Sequence, residues 1–205
     1  MDVSEHPNAA HVLHLAVARR LFLENGTLRY QEKTLGVTLE NHHEAERKPV
    51  VYYLIRDHFT GKMYVELSFE VSLNYIVGFL DRAWADKSNR MAGNYSVQCD
   101  FRGRPQTLVV PEKIAARFPV LSELMQEEGC AVMHATRSFA VSAQFRDVRE
   151  WDKRLAELAA ELDDCDFGDM ETLVNLSHLM SEQINRDGNL QVDGVVELAW
   201  KAGLA

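Results

Sequence analysis

The stretch Val51–Val71, VYYLIRDHFTGKMYVELSFEV, decides the fold. Read with Val50, its first part (VVYYLIRD, 50–57) is a near-continuous run of β-branched, aromatic and aliphatic residues. That is the pattern of a strand covered on both faces. Its last part (KMYVELSFE, 62–70) alternates apolar and polar residues, the pattern of a strand with one face buried. Between them His58-Phe59-Thr60-Gly61 reads as a tight turn, so the two strands form an antiparallel pair.

Working outward, residues 34–40 (TLGVTLE) alternate Leu35, Val37 and Leu39 against Thr34, Thr38 and Glu40, and read as a first strand. Residues 9–24 place Val12, Leu15, Ala16, Arg19 and Leu23 at helical spacing, with Asn8 as N-cap and Asn25-Gly26 as the stop. Beyond the pair, Leu73, Ile76, Val77, Leu80 and Trp84 mark a helix over 73–86, and 95–100 (YSVQCD) reads as a short strand ending in Asp100. Pro111 opens a helix to about Glu128, which Pro119 should split and Gly129 should end. A fifth strand over 130–136 and an amphipathic helix over 139–162 follow, then two closing helices over 172–185 and 192–202. The order β-β-β-α-β-α-β-α predicts an α/β fold, a mixed five-stranded sheet with helices on both faces, as in the ribonuclease H-like fold. Extra helices are expected at both ends: 1–33 is a lead-in, 34–162 the core and 163–205 an acidic helical extension.

The chain has 205 residues and a net charge of −9, with 46% hydrophobic and 26% charged residues, which fits a folded protein and excludes a disordered one. The charge is uneven: residues 152–205 carry −8 and residues 1–151 only −1. The acidic tail is either a solvated helix face or a segment that competes with nucleic acid for a basic groove. Cys99, Cys130 and Cys165 form no CxxC pair, which fits a reducing cytoplasm. No apolar run is long enough for a membrane span and no signal peptide is evident, so a cytoplasmic location is expected.

The stretch Val51–Val71 resembles the second and third strands of integrase and transposase catalytic cores of the retroviral type, where a hydrophobic strand enters a D-x-x-[ST]-[GR] turn. Ser96–Pro105 (SVQCDFRGRP) resembles the fourth strand and the loop that carries a family carboxylate. Gly129–Thr136 with the helix over 139–162 is similar to the last strand and final helix. The resemblance covers roughly residues 34–160. It implies Mg²⁺- or Mn²⁺-dependent phosphodiester hydrolysis or strand transfer, with three carboxylates holding two metal ions about 3.5–4 Å apart.

The family places these acids in the middle of strand one, at the end of strand four and on the final helix. Asp100 matches the second. The strand-one Asp is missing, with Glu40 the nearest acid; Asp57 lies at the turn of strand two. On the final helix, taking Val148 as the centre of the buried stripe, Gln144 falls at about −40° and Asp147 at about −100°. An amide therefore stands where the family has Glu, and an amide is a far weaker ligand for a hard dication. The resemblance thus implies a degenerate triad, with Asp100, Glu40 and Asp147 or Gln144 as candidates for catalysis and metal binding.

Arg102, Arg104, Lys113 and Arg117 follow Asp100, and Arg137, Arg146 and Arg149 surround the start of the last helix. They read either as a phosphate-tracking patch or as surface charge paired with Glu112, Glu123 and Asp147. His11 and His14 lack the cysteine pair of a zinc site, adjacent His42-His43 read as loop polars, and His134 reads as a hydrogen-bonded core histidine. The expected function is an integrase-like core protein of a mobile element that binds DNA or a partner recombination protein, with impaired strand transfer. The alternatives are a dimeric interaction module using the closing helices, and a metal-dependent nuclease using Glu40, Asp100 and Asp147.

Overall fold

The computed structural model describes residues 5–87, 90–135, 151–162 and 170–204. Eight strands are seen among them: β1 (Ala10–Glu24), β2 (Thr27–Tyr30), β3 (Lys48–Asp57), β4 (Met63–Ser68), β5 (Met91–Ala92), β6 (Tyr95–Ser96), β7 (Thr107–Pro111) and β8 (Ala131–Ala135). The six described helices are α1 (Leu73–Trp84), α2 (Glu112–Arg117), α3 (Val120–Glu127), α4 (Trp151–Glu161), α5 (Met170–Asp187) and α6 (Val192–Ala202). The central sheet is mixed, in the order β4-β3-β1-β7-β8, with β2 paired to the far end of β1. β3 runs antiparallel to both β4 and β1, whereas β7 runs parallel to both β1 and β8. β5 and β6 form a separate small hairpin.

Four expectations require correction. Residues 9–24 are the long strand β1, not a helix, and they supply the central strand of the sheet, so 1–33 is no helical lead-in. Val12, Leu13, Leu15, Val17, Ala18 and Leu21 are all buried, on both faces of the sheet. Such a strand loses its two-residue alternation, and its apolar positions match a 3.6 period by accident. Asn25-Gly26, taken as a helix stop, is the two-residue turn of the β1–β2 hairpin, with φ values of 52° and 82°. Two successive positive φ values are what an Asn-Gly hairpin turn requires. Residues 34–40 form no strand, and the fourth strand of the sheet is Thr107–Pro111 rather than 95–100, of which only Tyr95–Ser96 is extended.

The other elements lie where local pattern puts them. The Ser72 hydroxyl accepts from Tyr75 N–H and caps α1, whose Phe79 packs on Tyr53 and Tyr64. Pro119 separates α2 from α3, and Gly129, at φ 78°, ends α3. Of the helix expected over 139–162, residues 151–162 are described as helix and its capping turn, with Leu155, Leu158 and Leu162 buried. The closing helices belong to the core: Leu173, Leu176, Leu179, Val195 and Leu198 are each at most 2% exposed. Those side chains therefore offer no free dimerisation face. No helix among the described residues is long and apolar enough to cross a membrane.

α5 covers the open edge of the sheet by a specific device. The outward N–H groups of Leu67, Val65 and Met63 on β4 donate to Ser177 Oγ, Ser181 Oγ and Asn185 Oδ1 at 2.8, 2.9 and 2.7 Å. Asn185 Nδ2 donates back to Met63 O at 2.7 Å. The pairing works because four helix residues rise about 6 Å and two strand residues about 6.7 Å. An i, i+4, i+8 row of small polar side chains thus satisfies an edge that would otherwise recruit another chain. Replacing Ser181 by Ala leaves the Val65 amide buried without a partner. The expected loss is about 1–3 kcal/mol in chemical unfolding, while Ser181→Thr retains most of the stability.

Candidate functional site

A cleft of about 560 Å³ lies beside the carboxyl end of β7, where the chain passes into α2. Its described lining is Leu15, Ala16, Val17 and Arg19 from β1, Val37–Glu40 from the segment before β3, Tyr52 from β3 and Lys113 from α2. An irregularity in β1 shapes it. Val17 pairs with Val51 and Phe22 with Pro49, so five steps along β1 span two along β3. The extra residues form a bulge, and Arg19 O accepts from Leu35 N–H at 2.7 Å, tying the 35–41 segment to it. Bulges of this kind re-aim side chains, and here Arg19 is exposed at the cleft.

The floor is apolar and the charges sit at the rim. Arg19 and Lys113 are the described lining cations, and Glu40 is the one carboxylate among the described lining residues. Arg117, one turn after Lys113, donates to Leu39 O behind the rim. The Thr38 hydroxyl, more than any other neighbour, holds the exposed Glu40 carboxyl below its ordinary range; Lys113 and Arg117 act in the same direction.

Asp100 lies elsewhere. It is exposed, accepts from Lys62 Nζ at 2.7 Å, and lines a smaller cleft with Pro7, Asn8, Asp57 and Arg102, at the end of the sheet where β1 and β7 begin. The two acids taken as partners thus line separate clefts. Gln144 and Asp147 lie outside the described residues, as do Arg137, Arg146 and Arg149. Of the remaining expected basic residues, Arg102 pairs with Asp86 at 3.6 Å, and Arg104 donates to Glu128 at 2.6 Å. Lys113 alone reaches the cleft. Asp57 caps the β3–β4 turn, accepting from Phe59 N–H at 3.0 Å and Thr60 Oγ1 at 2.8 Å.

Arg19 is the cleft residue that sequence reasoning missed, because it counted as one position of a helical stripe. Once Ala10–Glu24 is read as a strand ending in an Asn-Gly turn, an arginine in its middle stands out. The middle of β1 holds no Asp or Glu, since Glu24 at its end is its first acid, and β7 ends at Pro111, followed by exposed Glu112. Among the described residues, no three His, Cys, Asp or Glu side chains come together as a metal site.

Two buried histidines are structural. His11 accepts from Trp84 Nε1–H at Nδ1 (3.1 Å) and meets Asn8 Oδ1 at Nε2 (3.0 Å), an arrangement that holds it neutral. Burial lowers its pKa to about 4. His178 Nε2 meets the Tyr64 hydroxyl at 2.8 Å, and Tyr64 donates to Glu66 Oε1 at 2.6 Å. Burial, followed by Arg90, Lys87 and Arg82, lowers the His178 pKa to about 3.

No family model matches the sequence, and none of the curated proteins matches it. Among solved structures, the chain is similar to the HTLV-2 integrase catalytic core domain in complex with magnesium. The dimeric form has a TM-score of 0.45 and 11% identity, with 86% of each chain covered. The trimeric form has a TM-score of 0.43 and 10% identity, covering 96% of this chain and 84% of that one. It is also similar to a chain of the simian T-cell lymphotropic virus intasome in complex with PP2A regulatory subunit B56 gamma, at TM-score 0.42 and 11% identity. The match covers 96% of this chain but only 48% of that chain, so it spans about half the length of the intasome chain. At such identities and scores, the chemistry of this chain has to be read from its own residues.

Proposed function

We propose that this chain is an integrase-type core of ribonuclease H-like topology that binds nucleic-acid phosphates and does not itself cut or join strands. The sheet order, three antiparallel strands followed by two parallel ones around a central β1, supports the topology. The observation that carries the function is the charge of the cleft beside β7: Arg19 and Lys113 at its rim, with a single described carboxylate beside them. Ligands of open α/β sheets bind outside the carboxyl ends of the parallel strands, which is where this cleft lies. Two-metal phosphodiester chemistry needs convergent carboxylates. Glu40 and Asp100 line separate clefts, and the middle of β1 has no acid, so the described residues do not fit a Mg²⁺ or Mn²⁺ pair. Two cations over an apolar floor fit a phosphate with its sugar or base. The partner in this reading is DNA, alone or within an assembly of recombination proteins.

The test is fluorescence anisotropy with a labelled DNA duplex. Arg19→Glu and Lys113→Glu are each expected to weaken binding about tenfold at low salt. Each should flatten the salt dependence by about one unit of slope, as expected when one phosphate contact is removed. Nicking and strand-transfer assays with Mg²⁺ or Mn²⁺ are expected to show no activity. Binding unaffected by either substitution, or cutting abolished by Asp100→Ala, would overturn the proposal.

A further inference from the structure

The segment carrying Glu40 lies outside strand and helix and is braced by its own hydrogen bonds. Thr38 N–H and Thr38 Oγ1 both donate to Asn41 Oδ1, at 2.6 and 3.1 Å, and Glu40 N–H donates to Thr38 Oγ1 at 3.2 Å. Asn41 Nδ2 reaches Gly36 O at 3.4 Å. Leu39 O accepts from Arg117 and contacts His42 Nδ1 at 2.9 Å. The turn is therefore fixed against both the β1 bulge and α2. Glu40 sits on it at the lip of the cleft, in the field of Lys113 and Arg117.

We infer that Glu40 is a resident anion of the cleft, placed in the positive field that a phosphate of the bound nucleic acid would occupy. The inference rests on the phosphate-binding reading above and deepens it. A phosphodiester approaching Lys113 meets a fixed negative charge of its own sign, so it must push the carboxylate aside or bind against it. Glu40 thereby sets how strongly the cleft holds a backbone and keeps it from filling with small anions. In this role the residue read from sequence as a metal ligand instead serves the cations.

The experiment measures binding of the labelled duplex by the full chain. Glu40→Gln keeps the shape and removes the charge. It is expected to bind about fivefold tighter at about 50 mM salt, with the gain shrinking as screening increases. Glu40→Ala, which also removes the carboxylate, is expected to behave alike. Glu127→Gln makes the same change in net charge at an exposed position on α3 and is expected to leave affinity unchanged. Equal tightening in Glu40→Gln and Glu127→Gln would assign the effect to net charge and overturn the inference. Wild-type affinity in both Glu40 variants would also overturn it. If Arg19→Glu still weakens binding in that case, the cleft remains the phosphate site; if it does not, the phosphate reading fails as well.

Discussion

Lowering the pH from 7 to 5 is expected to remove about 4 kcal/mol of folding stability through His11 and His178, with a further loss from His14, whose pKa burial also lowers to about 4. His11 and His178 are both enclosed, at 0% and 1% exposure, with pKa values lowered to about 4 and about 3. The unfolded chain takes up a proton at each near pH 6.5, whereas the folded chain resists until the pH is well below 5. The unfolded state therefore binds more protons in this window, and stability falls as the pH falls. At pH 5 each site has lost about 1.5 pH units, or about 2 kcal/mol. For a chain of this size that corresponds to a drop of about 8–16 °C in thermal midpoint. His178→Gln, which can still hydrogen-bond Tyr64, is expected to reduce the difference between pH 7 and pH 5 by about 2 kcal/mol. A midpoint that stays level across this range would contradict the assignment of both rings as buried and neutral.

Arg82→Met is expected to cost about 3–5 kcal/mol, the range for stripping one partner from a buried ion pair. Glu66 on β4 is fully buried, and its oxygens accept from Arg82 Nε and Nη2 at 2.7 and 2.8 Å. The same carboxylate accepts from the Tyr64 hydroxyl at 2.6 Å and the Tyr75 hydroxyl at 3.2 Å. Burial, followed by the negative charge of Glu66, pushes the Tyr64 phenol well above its ordinary range. Removing Arg82 leaves the carboxylate with two neutral donors and the more distant charge of Lys87, without a directly bonded counter-charge. The double variant Glu66→Leu with Arg82→Met removes the charge as well, and is expected to recover at least half of the loss in urea unfolding. Such recovery shows directly that the cost lies in the orphaned charge rather than in lost packing.

How far the sequence carries depends on how local the determinant is. The β3–β4 pair was legible because a turn of His58-Phe59-Thr60-Gly61 joins two strands that neighbour each other in sequence and in space. The α2–α3 split at Pro119 was legible because proline acts on its own backbone. β1 was not legible from periodicity, because a central strand buried on both faces carries no alternation to count. The Asn25-Gly26 turn held the missing signal, since that pair flanked by apolar runs marks a hairpin. With β1 misread, 34–40 stood in for the first strand and 95–100 for the fourth, which is why Glu40 and Asp100 became partners although they line separate clefts.

The amino-acid sequence by itself determined the elements set by neighbouring residues: the caps, the turns, the amphipathic helices and the uneven charge. Tertiary structure alone decided which charges meet. Arg19 and Lys113 are 94 residues apart and share a cleft because β1 and β7 lie side by side. Lys62 and Asp100 pair across 38 residues, and Asn185 reaches Met63 across 122. The physical reason is one of range: backbone preferences act over a few residues, whereas a charge or a hydrogen-bonding group answers to whatever the fold brings within a few ångströms of it.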